Sequence, residues 1–174
     1  MTRHVRTSDL LYRRKAALGS GQKKTVYALS ALLWVSGAVW LYLKYFSQVS
    51  GEFGSEPHPA CPLWLKIHGA AAMGFLMIFG YLLIHHLPPG WRQKSQRLSG
   101  ATLLTTSSFL ILTGWGLYYL GNEVLRNWTS WIHSILGLLF PVLILIHVFQ
   151  AKKCKLIRHD RDCALEEGGR GRKS

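Results

Sequence analysis

The chain has 174 residues, 49% of them hydrophobic and 12% aromatic, with a formal net charge of +13. Its apolar residues are gathered in long blocks, which excludes an ordinary water-soluble domain. Nearly all the basic residues lie outside those blocks and flank them, which argues against reading the charge as a nucleic-acid surface.

In chain order, residues 1–24 form a polar arm with Arg3, Arg6, Arg13, Arg14, Lys15, Lys23 and Lys24. Four blocks follow, near 25–47, 63–87, 99–120 and 130–149, each close to the roughly twenty residues that cross a bilayer core. The expected architecture is an all-α transmembrane four-helix bundle over 25–149, with a basic tail at 150–174. The first block has too long an apolar run, and no small-residue cleavage site, for a cleaved signal peptide, and reads as a retained span. Its Trp40, Tyr42 and Tyr45 suit an outer aromatic belt, with Lys44 reaching to the surface.

Loop 48–62 has no Lys or Arg, only Glu52 and Glu56, whereas the second loop holds Arg92, Lys94 and Arg97 and the tail is strongly basic. That asymmetry places both termini in the cytoplasm and makes this a multi-pass protein of the inner membrane. Pro88, Pro89 and Gly90 are expected to stop the second span, and Pro141 to kink the fourth. The tail is expected to lack regular structure. Asn127-Trp128-Thr129 matches a glycosylation acceptor, but it lies against the membrane.

The second span has histidines near both ends, His68 and the adjacent His85 and His86, and the fourth has His133 and His147. An ionisable residue in a membrane helix is costly and calls for a function and a partner. At roughly 100° per residue, His68 and His86 share a face after about five turns, and His133 and His147 fall about 40° short of four. His85 points roughly 100° away and is the alternative to His86.

The second and fourth spans of an antiparallel bundle run in the same direction, so their histidines at matching depths form two pairs, His68 with His133 and His86 with His147. Each pair can grip one haem iron through two imidazoles, which leaves no open coordination position and suits electron transfer. A structural zinc would require more ligands at one depth. Gly69, Ala70, Ala71, Ala72 and Gly74 permit close approach of a helix or a flat macrocycle, while Phe75, Phe79 and Phe140 fall between the two histidine levels. Cys61, Cys154 and Cys163 form no framework, and with no C-x-x-C-H the haems are of the non-covalent b type.

IHGAAAMGFLM, HHLPPGWR, LTGWGLYYLG and WTSWIHSILGLLFPVLILIH, within residues 63–149, are similar to bacterial four-helix dihaem cytochromes b. The chain also resembles respiratory cytochrome b and the cytochrome b subunits of formate dehydrogenases and hydrogenases. The first span has no histidine, a departure from the formate dehydrogenase subunits that favours a clamp of the second and fourth helices. The resemblance implies electron transfer across the bilayer between quinone and a redox partner, a c-type cytochrome or another subunit of a membrane complex. For quinone contact, Glu52, His58 and Glu123 are outer-side candidates. A haem-free membrane anchor and a stand-alone quinol or superoxide oxidase are the competing readings.

Overall fold

The computed structural model describes residues 18–51, 54–92 and 97–170. Residues 1–17 of the basic arm, Glu52, Lys94, residues 171–174 and the side chains of Arg92 and Cys163 lie outside that description.

The chain is an all-α, multi-pass membrane protein. Helix α1 spans Ser20–Tyr45 and α2 spans Cys61–His85. A short α3, Leu87–Arg92, leads to α4, Arg97–Tyr119, and the chain continues as α5, Glu123–Arg170. Helices α1, α2, α4 and the Glu123–Cys154 part of α5 are long and apolar enough to cross a bilayer. They start before the apolar blocks do, because polar turns at the interface remain helical where hydropathy marks only the bilayer core. Between α1 and α2, β1 (Val49–Gly51) and β2 (Gly54–Glu56) pair antiparallel, with Val49 opposite Glu56. Gly54 has φ +118°, a conformation that glycine adopts without a Cβ clash.

The two prolines act as expected on α2. Pro88 and Pro89 have no N–H to extend its ladder, yet they are tolerated in the first turn of α3. His86 is therefore the joint: its N–H donates to the Leu82 carbonyl at 3.0 Å, and its own carbonyl accepts from Gly90 N–H at 3.1 Å. The tail differs from expectation, since α5 runs unbroken through Pro141 and on to Arg170. From Ala151 to Leu165 there is no Gly or Pro, and helix formers dominate. A helix already nucleated in the membrane simply propagates through such a stretch.

Packing divides the bundle into two tight hairpins, α1 with α2 and α4 with α5, joined by lesser contact between α1 and α5. The histidine-bearing α2 and α5 are not among the closely packed pairs. Gly74 brings α2 against α1, since a Cβ there would lie 3.1 Å from Leu29 Cδ2. Trp34 Nε1 donates to the Leu138 carbonyl at 3.2 Å and ties α1 to α5. Between α2 and α5 only side chains meet. Phe75 is buried, stacks on Phe79 and turns its edge to Phe140, each with centroids 6.1 Å apart. At the hairpin end of the bundle, Lys44 lies over Trp40 and Tyr45, and Tyr45 stacks on Trp131.

Without a hydrophobic force between helices in lipid, close packing of small residues holds the α1–α2 hairpin. Gly74→Val is expected to lower the thermal unfolding midpoint, at a cost of about 1–3 kcal/mol from overpacking. Gly80→Ala, with no neighbour within 4 Å of the new Cβ, is expected to hold or raise it. Circular dichroism melts in detergent separate the two.

Candidate functional site

The site is built from two levels of histidine between the hairpins. At the level near the β hairpin, His68 of α2 and His133 of α5 face each other, with ring centroids 6.3 Å apart and planes at 82°. Both are half-buried.

Each is held from behind by the histidine-free helix of its own hairpin. His68 Nδ1 lies 3.0 Å from the Leu33 carbonyl and 3.1 Å from Ser36 Oγ, both on α1. Ser36 donates its own proton to the Leu32 carbonyl at 2.6 Å, so its oxygen is left to accept. A carbonyl can only accept, so His68 carries its proton on Nδ1 and keeps a lone pair on Nε2. His133 repeats this arrangement. Its Nδ1 lies 2.9 Å from Thr113 Oγ1 on α4, whose proton goes to the Phe109 carbonyl at 2.8 Å. The Leu110 carbonyl is a further partner of the His133 ring.

At the other level, His147 Nδ1 lies 3.0 Å from Ser99 Oγ of α4. His86, half-buried at the joint after α2, is close enough to His147 for their charges to interact. His85 is exposed and turned away, with its ring 4.5 Å from that of Tyr81, whose hydroxyl accepts from Gln22 Nε2. Among the described residues, no three of His, Cys, Asp and Glu gather into a metal cluster. The histidines meet in twos.

Glycines complete the fit. A Cβ at Gly37 would stand 3.2 Å from His68 Cε1, one at Gly114 3.3 Å from His133 Cε1, and one at Gly100 3.8 Å from His147 Cε1. The hydroxyls and glycines behind the rings were not singled out from sequence as histidine partners. Their signal was a Ser/Thr-Gly pair recurring on the spans that lack histidine.

Two outer quinone candidates have structural roles. His58 Nδ1 accepts from Ala60 N–H at 3.1 Å and its carbonyl accepts from Cys61 N–H at 2.9 Å, so it shapes the start of α2. Glu123 is the acidic residue in the first turn of α5, beside Asn122, whose Oδ1 accepts from Leu125 N–H at 3.0 Å. A separate groove of about 460 Å³ lies between α4 and α5 near the other end. Arg97, Ser99, Thr102, Leu143, Ile146 and Gln150 line it.

The family model described as prokaryotic cytochrome b561 matches residues 80–163. Over that stretch the chain is similar to prokaryotic b-type cytochromes. The match runs through the end of α2, all of α4 and most of α5, and so includes His85, His86, His133 and His147 but stops short of His68. No curated protein and no solved structure matches the chain.

The similarity to a b-type cytochrome family implies haem b, and the residues present fit that group. A metal–imidazole bond of about 2 Å, with the ring centre about 1 Å further back, puts two opposed imidazoles about 6 Å apart. The 6.3 Å between His68 and His133 has that value. Haem supplies a reversible one-electron couple at iron. The chain supplies imidazoles with the proton fixed on the outward-facing nitrogen and glycines that leave room for the rings.

Proposed function

We propose that the protein is a dihaem cytochrome b that carries electrons across the inner membrane between quinone and a redox partner at the surface. His68 with His133 would hold one haem and His86 with His147 the other, while His85 is not a ligand. The observation that carries this reading is the opposed pair at 6.3 Å, with Nδ1 of each ring already satisfied from behind. Such rings have one use left for Nε2, as a donor to a metal. The second pair rests on His147, held from behind like the first two histidines, and on its proximity to His86.

With both axial positions filled by histidine, electrons enter and leave at a haem edge. The groove beside Ser99 supports a quinone contact at the end of the bundle away from the β hairpin. It has apolar walls at Leu143 and Ile146, and Arg97, Ser99 and Gln150 offer hydrogen-bonding groups. A quinone ring requires such a combination.

Pyridine haemochrome analysis of purified protein is expected to give two haems b per chain. His68→Ala and His133→Ala should each remove one, His86→Ala and His147→Ala the other, and His85→Ala neither. A preparation without haem would favour the anchor reading. Ile146→Trp, which fills the groove, is expected to slow reduction by a quinol analogue while dithionite still reduces both haems.

The charge asymmetry supports termini in the cytoplasm, with the β hairpin on the opposite side. Cys61 is buried and cannot report that side to a thiol reagent. On a cysteine-free background, Glu123→Cys should react with an impermeant maleimide in spheroplasts. Lys152→Cys should react only after lysis, and the reverse pattern would invert the donor and acceptor sides.

A further inference from the structure

Three of the four histidines in the pairs have a hydroxyl at Nδ1 followed by a glycine, both on helices that have no histidine of their own. On α1 the stretch reads Leu33-Trp34-Val35-Ser36-Gly37 and on α4 Leu110-Ile111-Leu112-Thr113-Gly114. In both, the hydroxyl faces an imidazole Nδ1 and the next residue is a glycine beside the ring; on α1 the Leu33 carbonyl also meets that nitrogen. Ser99-Gly100 provides the hydroxyl and the glycine for His147.

The construction follows from helix geometry. A Ser or Thr that back-bonds to its own helix spends its single proton there, which leaves its oxygen as an acceptor toward the next helix. The following residue lies roughly 100° further round, where a side chain would strike the ring. At Gly37 and Gly114 a Cβ would crowd the ring, whereas at Gly100 it would make ordinary contact.

We propose that Ser36-Gly37, Ser99-Gly100 and Thr113-Gly114 are positioning residues that orient the haem-ligating histidines and set the potentials of the two haems. The inference rests on the ligand reading above. An acceptor on Nδ1–H makes the imidazole more basic and a stronger donor through Nε2. A stronger donor favours the oxidised iron, so a hydroxyl that accepts from Nδ1–H, as the back-bonded Ser36 and Thr113 are placed to do, lowers the potential of the haem that its histidine holds. Ser20-Gly21 repeats the dipeptide at the start of α1, but no atom lies within 4 Å of a Cβ at Gly21. The inference therefore covers His68, His133 and His147.

The test is potentiometric titration of the full-length holoprotein, with haem content measured on the same samples. Thr113→Val keeps the shape and removes the acceptor. It should raise the midpoint of the haem on the β-hairpin side alone, and Ser99→Ala should raise that of the other alone. Thr113→Ser and Ser99→Thr should restore values near those of the unsubstituted protein. Gly114→Ala should change the low-spin electron paramagnetic resonance signal of the first haem only.

Should Thr113→Val lose its haem while Thr113→Ser retains it, the hydroxyl is still the agent. Unmoved midpoints in fully loaded Thr113→Val and Ser99→Ala would overturn the proposal. So would conservative variants shifted as far as the truncated ones, since bulk and not the hydrogen bond would then be responsible. Failure of the ligand reading looks different: the unsubstituted protein binds no haem, or His133→Ala and His147→Ala keep both.

Discussion

The structure depends on how a histidine is made tolerable inside a lipid-facing bundle. Each ring has two nitrogens, and an unsatisfied one in a low-dielectric interior costs on the order of 1–3 kcal/mol. For His68 and His133 the solution is one-sided. A hydroxyl and a carbonyl on the adjacent helix take Nδ1–H, so Nε2 of each is left with a lone pair. Which nitrogen is left to face the partner histidine thus follows from hydrogen bonds made behind the ring.

That solution dictates the packing. A ring held from behind must lie close to the helix that holds it, hence Gly37 and Gly114 at just over 3 Å from where a Cβ would meet the imidazole. It must also have free space in front, hence α2 and α5 stand apart and meet through Phe75 and Phe140 rather than backbone to backbone. Helices α1 and α4, which contribute no histidine to either pair, thus determine the site as much as those that do. Even Pro88 and Pro89 take part, by ending α2 at the joint that holds His86.

The four spans were legible in the sequence because a bilayer imposes a length and an apolar composition that little else imitates. The facing of His68 with His133 was legible because a helix has a fixed period, and the same period separated His85 from His86. The run of α5 beyond the membrane was misread, since a charged composition was taken to outweigh helix propensity in a stretch free of Gly and Pro. The hydroxyl–glycine seats escaped notice for a different reason. Ser and Thr in a membrane helix ordinarily back-bond to their own carbonyls, and Ser36 and Thr113 do so as well. Their second role depends on which helix lies opposite, and single-helix periodicity does not reveal that. In retrospect the spacing from Ser99 to Thr113 equals that from His133 to His147, as antiparallel neighbours require.

The division into two hairpins bears on how such a molecule comes to exist. The α1–α2 half already contains both the ring of His68 and the groups that orient it, and the α4–α5 half the same for His133 and His147. Each half can therefore enter the membrane during synthesis with those imidazoles set, needing nothing from the other. The joint between halves is slender by comparison, chiefly α1 against α5 and a few aromatic edges. A haem held by the proposed pairs would work like the pin of a clasp, adding its binding free energy to the union of the halves. On the proposed ligand reading, cofactor binding would close two halves that are already shaped for it.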